Sequence, residues 1–268
     1  FVARSFIVGS NNFPLNEKLG LKYLEYVTDL NIVEAMPIYN CVFHDGHLVP
    51  KNEEKAIYIL NKAASMSKSS EMKLRFVDIL LSHHSYNIHS TDNANINYPL
   101  AKERSKEAAD MGNTKAMILY ASLCMKEKKN KCREINSDFK EALNYFKLAA
   151  DNGDPEGMAH YGRFIDYGYG IIKPDPKEAA KYYKMSYGKG DMTGCAHYGS
   201  SLIEGVGEPK NELRGLKLIE RSCKHSNPYG MNFYGYFLHN GLSVLKKDIN
   251  QAVFYYKKAA DLGSAVGM

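Results

Sequence analysis

The sequence predicts an all-α fold, a right-handed α-α superhelix (solenoid) of about seven stacked helix pairs running through residues 1–268 as a single domain. Two observations predict it. A motif recurs from end to end: Ala-Ala-Asp-Asn-Gly-Asp-Pro-Glu-Gly-Met at 149–158 matches Ala-Ala-Asp-Met-Gly-Asn-Thr-Lys-Ala-Met at 108–117 and Ala-Ala-Asp-Leu-Gly-Ser-Ala-Val-Gly-Met at 259–268. Around the last residue of each copy, positions spaced 0, 3, 4 and 7 apart keep their character, and that spacing is one face of an α-helix. With the weaker copies included, the anchors Met36, Met72, Met117, Met158, Cys195, Met231 and Met268 lie 36, 45, 41, 37, 36 and 37 residues apart. A period of that size marks stacked helical repeats.

The units run roughly 1–34, 35–70, 71–115, 116–156, 157–193, 194–229 and 230–268. In the first, 1–8 followed by 16–31 reads as a truncated pair. In every later unit the anchor opens one helix, A, and a second, B, follows. Three residues past the anchor stand Tyr39, Arg75, Tyr120, Tyr161, Tyr198 and Tyr234. Next come Asn40, Phe76, Ala121, Gly162, Gly199 and Gly235, and at seven Phe43, Ile79, Cys124, Ile165, Leu202 and Leu238. Helix A ends at a glycine-rich turn, clearest at Tyr167-Gly168-Tyr169-Gly170 and Gly205-Val206-Gly207, because glycine accepts the left-handed conformation that closes a helix.

Helix B carries Gly20, Ala56, Ala101, Ala142, Ala179, Gly215 and Ala252, sixteen residues before each anchor. A residue that is small in every copy lets two helix backbones approach closely. An aromatic or aliphatic pair follows, Tyr145-Phe146, Tyr182-Tyr183, Leu218-Ile219 or Tyr255-Tyr256, and then Ala149-Ala150 or its equivalent. Asp175 and Asp248 stand where an N-cap is needed. The third unit departs most: Arg75 replaces the Tyr, Phe76 the small residue and Arg104-Ser105 the apolar pair, and a polar connection spans 82–99. Loose packing is expected there.

The pattern Ala-x₆-Ala-Ala-x₂-Gly, then Tyr-Gly, then Gly-x-Gly-Ile with an Asp shortly after, resembles the Sel-one-like repeat family, relatives of the tetratricopeptide repeat. The resemblance covers nearly the whole chain, and its glycine-rich turn and longer period separate it from the tetratricopeptide unit of about 34 residues. It implies scaffold or adaptor function, in which a curved surface holds a peptide or partner domain. Some secreted members staple each repeat with one Cys at the second residue of the Ala-Ala pair and one at the anchor. Here Cys223 faces Met231, and Cys195 faces Tyr187, so the staple is broken both times.

Composition narrows the function classes. A chain that is 44% apolar and 24% charged buries a sizeable core, which excludes disorder. The 20 Tyr against no Trp fit a Tyr-bearing repeat. Five scattered Cys and the absence of any glycosylation sequon point to a reducing compartment, cytoplasmic or nuclear, with the ER lumen as the alternative. No apolar run reaches the roughly 18 residues of a membrane span. A net charge of +5 is too dilute a field for nucleic-acid binding. The chain opens at Phe1 without Met and ends at Met268 directly after a repeat signature, which reads as a fragment of a longer protein.

Residues two, five and nine positions past the anchor lie off the core stripe and form a candidate binding row on the concave wall. It opens with Leu119 and Ser122, continues through His160, Arg163 and Tyr167 to His197, Ser200 and Glu204, and ends at Phe233, Tyr236 and Asn240. Tyr, Phe and Arg there suit interface anchors. Truncation of Arg163 or Tyr236 is expected to weaken binding and leave folding intact. The histidines His83, His84 and His89 lack the Cys or carboxylates that complete a zinc site, Asp92 being the one close acid. Cys124 and Cys132 could be read as a staple, but read better as free thiols. No Gly-x-Ser-x-Gly elbow or phosphate-cradling loop occurs, and Gly168-Tyr169-Gly170 belongs to the repeat turn. The basic run 126–133 reads as a solvated insertion. The sequence thus reads as a non-enzymatic binding module, needing no cofactor or metal, whose partner is a protein or peptide. Two alternatives stand beside it: repeats docking onto a missing, possibly catalytic, domain of the same chain, and a lumenal adaptor of protein quality control.

Overall fold

The computed structural model describes residues 16–29, 53–82, 94–126, 137–169, 172–242 and 244–262. Among these residues are twelve helices: α1 (Glu17–Asp29), α2 (Glu53–Met66), α3 (Ser70–Ser82), α4 (Ala94–Asp110), α5 (Thr114–Lys126), α6 (Ser137–Asp151), α7 (Pro155–Tyr167), α8 (Pro176–Gly188), α9 (Met192–Glu204), α10 (Glu212–Lys224), α11 (Pro228–Asn240) and α12 (Ile249–Asp261). The fold is an all-α helical repeat in which helices adjacent in sequence pack together. None of the described helices is long and apolar enough to cross a membrane. The chain forms two compact units, Phe1–Ala116 and Met117–Met268. The anchors Met36 and Met268, with Tyr39, Asn40 and Phe43, lie outside the described residues, as do His83, His84, His89, Asp92 and Cys132.

Of the first-unit residues that break the repeat pattern, Arg75 is exposed, while Phe76, Arg104 and Ser105 are built into the packing, contrary to the expectation of looseness. Phe76 and Ser105 are buried. Lys73 on α3 donates to the Ala64 carbonyl of α2 at 2.7 Å and meets Glu107 Oε2 of α4 at 2.6 Å. Arg104 on α4 donates from Nε to Asn61 Oδ1 of α2 at 3.0 Å and pairs with the other oxygen of Glu107. One carboxylate thus joins two cations, of which Arg104 stands where other repeats carry the apolar pair. The polar connection is also shorter than the sequence suggested, since α4 begins at Ala94 and runs through Pro99. Near a helix start the first four amides have no intrahelical acceptor, so a proline at the sixth residue removes one hydrogen bond and the helix continues.

In the second unit the A helices α7, α9 and α11 begin three residues before their anchors. Asp154, Asp191 and Asn227 cap them, accepting from the amides of Gly157, Gly194 and Gly230, and proline occupies the first position of α7 and α11. Gly168 at φ 68° and Gly205 at φ 76° end α7 and α9 in the left-handed region. The B helices α8, α10 and α12 are capped by Asp175, Asn211 and Asp248.

The repeat columns become layers. Ala101, Ala142, Ala179 and Ala252 are all fully buried. Edge-on ring pairs at 4.7–4.9 Å join three of the A-helix Tyr to the first ring of the B-helix pair: Tyr120 with Tyr145, Tyr161 with Tyr182 and Tyr234 with Tyr255. The second residue of that pair lies over the A-helix glycine: a Cβ on Gly162 would come within 2.8 Å of the Tyr183 ring, and one on Gly235 within 3.0 Å of Tyr256. At the Ala149 position of the repeat, Ser186 and Ser222 donate to the carbonyls of Pro155 and Met192 at 2.7 and 2.8 Å.

Candidate functional site

The A helices of the second unit lie side by side, α7 against α9 and α9 against α11. Their shared face holds a cavity of about 780 Å³. Arg163 and Tyr167 of α7, His197 and Glu204 of α9, and Phe233 and Tyr236 of α11 line it, so six of the eleven row residues meet there. Tyr169, Tyr229, Asn232 and Tyr256 complete the wall. Six of the ten lining residues are aromatic.

The row is not a uniform solvent face. Residues two past the anchor pack inward, because that position points at the preceding B helix. His160 stacks on Phe146 at 4.8 Å, and His197 stacks on Tyr183 at 4.6 Å. His197 is 3% exposed, and Phe233 meets its ring edge-on at 5.0 Å. Residues nine past the anchor emerge: Tyr167, Glu204 and Asn240 are exposed, the first at 54%. Tyr236, at the five position, is 51% exposed. Ser200 is buried and donates to Glu204 Oε1 at 3.1 Å, and Asn240 turns back to the Tyr236 carbonyl at 2.9 Å. His160, Ser200 and Asn240 therefore stand outside the cavity lining. Leu119 and Ser122, half-buried on α5, do as well.

Arg163 organises the cavity floor. Its Nη1 donates to the Tyr229 hydroxyl at 2.6 Å, and its guanidinium lies 4.5 Å from the centre of that ring. Arg163 can only donate, so His160 Nδ1, 3.3 Å from Nη1, accepts, and the ring hydrogen sits on Nε2 facing Glu156 at 3.7 Å. The bond from His160 holds the Glu156 carboxyl below the usual range. Burial opposes the Arg163 charge, but the oxygens of Tyr229, Tyr169, Tyr183 and Tyr167 outweigh it and hold the group protonated. Its Nε and the Nε2 of His197 are sealed from solvent without a hydrogen-bond partner. Burial, with the charges of Arg163 and His160 beside it, drives His197 well below the ordinary histidine range, so its ring is neutral.

Tyr229, Tyr169, Asn232 and Tyr256 were not in the row read from sequence. Tyr229 sits one residue inside the start of α11, next to its cap, and Tyr169 in the turn after α7. Their signal was aromatic content at positions where the repeat asks for none. Tyr169 adopts φ 37° and rests on Phe164 at 4.8 Å. The described thiols are free. Burial pushes Cys195 up to about 11 and Cys223 to about 12, so both are poor nucleophiles. Among the described residues no cluster of His, Cys, Asp or Glu could hold a metal ion.

The family model of the Sel1 repeat matches residues 41–68, 131–154, 155–191, 194–227 and 228–264. A Sel1 repeat protein from Oxalobacter formigenes has a similar structure, with TM-score 0.66 at 17% identity over 99% of this chain and 72% of that one, which shows the fold. Two weaker likenesses add nothing to it. A putative Sel1 repeat protein from Klebsiella pneumoniae subsp. pneumoniae gives TM-score 0.39 at 15% identity, over 80% of this chain and 97% of that one. The protective antigen c5321 of uropathogenic Escherichia coli, described as an SLR fold, gives 0.44 at 16%, over 99% and 61%. No curated protein matches in sequence.

Proposed function

The chain belongs to the Sel1 repeat family, and from that premise we propose that it is an interaction scaffold or adaptor that holds a peptide or partner domain on the concave face formed by α7, α9 and α11. The cavity carries this reading. It is lined by rings and one arginine, the side chains that anchor interfaces by burying area at low rotamer cost. A binding role suits the described residues, since burial pushes the Cys195 and Cys223 thiols up and the buried His197 is boxed by rings. Cys195 and Cys223, which form no disulfide, favour a reducing compartment, cytoplasmic or nuclear.

The test compares two double variants for partner capture and melting temperature. Tyr167→Ala with Tyr236→Ala removes the two exposed rings of the cavity. Lys140→Ala with Lys177→Ala alters the starts of α6 and α8. The first pair is expected to lose about tenfold in capture, equivalent to roughly 1.4 kcal/mol, with melting unchanged. Loss of capture with the lysine pair alone would move the partner off this face. Arg163 is unsuitable here because it also ties α7 to α11 through Tyr229.

A further inference from the structure

We infer that the cavity takes an acidic peptide segment of mixed charge: one ligand carboxylate on the Arg163 guanidinium, neighbouring apolar side chains on Tyr167, Phe233 and Tyr236, and one basic residue towards Glu204. This rests on the reading of the α7–α9–α11 face as an interaction surface and names its ligand.

The electrostatics of the cavity set the first element. Among the described residues no carboxylate lies within 4.0 Å of Arg163, although two stand nearby on its own helix. Asp166, one turn on, instead accepts from the Tyr183 hydroxyl at 3.1 Å. Glu156 faces His160. The guanidinium is therefore a largely buried cation held by neutral groups: the hydroxyls of Tyr229 and Tyr169, a ring face and an imidazole nitrogen. A ring face returns only part of what a cation loses on leaving water. A carboxylate restores a counter-charge through charge-assisted hydrogen bonds, for which the guanidinium fork is shaped.

Glu204 sets the second element. It lines the same cavity but is exposed, oriented by the Ser200 hydroxyl at 3.1 Å. Its charge repels a run of acids and attracts a Lys or Arg side chain, which the Tyr rings can also stack against. The size sets the third. About 780 Å³ is the scale of a site that encloses a small ligand or a short stretch of chain, not a folded domain. The ligand pattern is thus one acid, apolar neighbours and one base within a few residues.

The experiment pans a displayed library of random dodecapeptides on the immobilised full chain, then titrates the enriched sequences as labelled synthetic peptides. Enriched peptides should carry an Asp or Glu beside an aromatic or Leu, with a Lys or Arg close by. Changing the peptide acid to its amide should weaken binding about tenfold to the unaltered chain and hardly at all to Arg163→Gln. Changing the peptide base should matter to the unaltered chain and not to Glu204→Lys. The peptide-side change is measured on intact protein, so a loosened Arg163 variant cannot mimic the result. Peptides that need Tyr167 and Tyr236 but are indifferent to loss of their acid would overturn this inference and leave the interaction reading standing. Enrichment of purely basic peptides, or of none, would overturn it too. Partner capture by the tyrosine variants then judges the broader reading separately.

Discussion

Gly199 of α9 and Gly215 of α10 meet backbone to backbone: a Cβ on Gly199 would stand 2.8 Å from the Gly215 carbonyl oxygen, and one on Gly215 would lie closer still to the Gly199 oxygen. Both are columns of the repeat. The equivalent of Gly215 is Ala179 in α8 and Ala252 in α12, each fully buried. The facing residue is glycine in all three pairs, at Gly162, Gly199 and Gly235, so the α9–α10 pair lacks one methyl group that its neighbours carry, and its backbones approach more closely.

Gly215→Ala would bring the residue into line with the other repeats and raise helix propensity by up to about 1 kcal/mol. The clash with the Gly199 oxygen and with the Ile203 side chain should outweigh that gain. We expect a net loss of about 1–2 kcal/mol in urea unfolding, and a larger loss, on the order of 1–3 kcal/mol, for Ala179→Leu. A stabilised Gly215→Ala protein would show that the two helices can separate freely.

In the first unit, Glu107 is the shared partner of Lys73 and Arg104. Its side chain is 35% exposed while that of Lys73 is 7% exposed, so the cost of Glu107→Ala is reduced by solvent but leaves a buried ammonium. The expected loss is about 1–3 kcal/mol. Lys73→Met combined with Glu107→Gln should cost less than Glu107→Ala alone, since the buried ammonium is gone and Arg104 keeps Glu103 at 3.4 Å and Asn61 at 3.0 Å. Equal losses would show the pair to be electrostatically idle.

His197 predicts a pH dependence. Its folded pKa is depressed by burial first and then by Arg163 and His160, whereas the unfolded chain titrates near about 6.5. Between those values the unfolded state binds the extra proton. The contribution is therefore fully present above about pH 6.5 and is lost as pH falls towards the folded value, with a slope approaching about 1.4 kcal/mol per pH unit. His197→Phe keeps a ring on Tyr183 and removes the titration, so its melting temperature should fall less between neutral pH and mildly acidic pH. Parallel curves for the two proteins would mean that His197 protonates without unfolding anything.

The layers of this fold were legible because a column constrained in every repeat shows itself in one sequence. Among the described residues, the small residues Ala101, Ala142, Ala179 and Ala252 are buried, and Tyr120, Tyr161 and Tyr234 make the ring contacts to the B helices. The binding row was half legible. Helical spacing brought Arg163, Tyr167, Glu204 and Tyr236 to one face, but assigned His197 and Ser200 to the surface although both are buried. Columns describe one repeat against the next and are blind to a bond that skips one. The Arg163–Tyr229 bond spans 66 residues, from α7 past α9 to α11, and Tyr229 stands in no column used to read the row. The third unit misled for a related reason. Arg104 breaks the pattern alone, and its partner Glu107, shared with Lys73, is found only in three dimensions.

That skipping bond leads to a last prediction. Tyr229→Phe keeps the ring beneath the Arg163 guanidinium and deletes only the hydroxyl that accepts from Nη1 at 2.6 Å. The Nε of Arg163 already has no partner and is sealed from solvent, so the cation would retain its contacts to His160 and Tyr169 and the ring face. A buried charged donor left unsatisfied costs about 1–3 kcal/mol, and this loss should appear as a lower urea midpoint with an unchanged slope. Tyr167→Phe is the control, because that side chain is 54% exposed and water replaces whatever its hydroxyl does. It should fall within about 0.5 kcal/mol of the unaltered chain. If a peptide carboxylate binds Arg163 as inferred, a saturating acidic peptide should restore part of the Tyr229→Phe loss, since it supplies the missing acceptor. Equal stabilisation of both variants by the peptide would place the carboxylate away from the guanidinium.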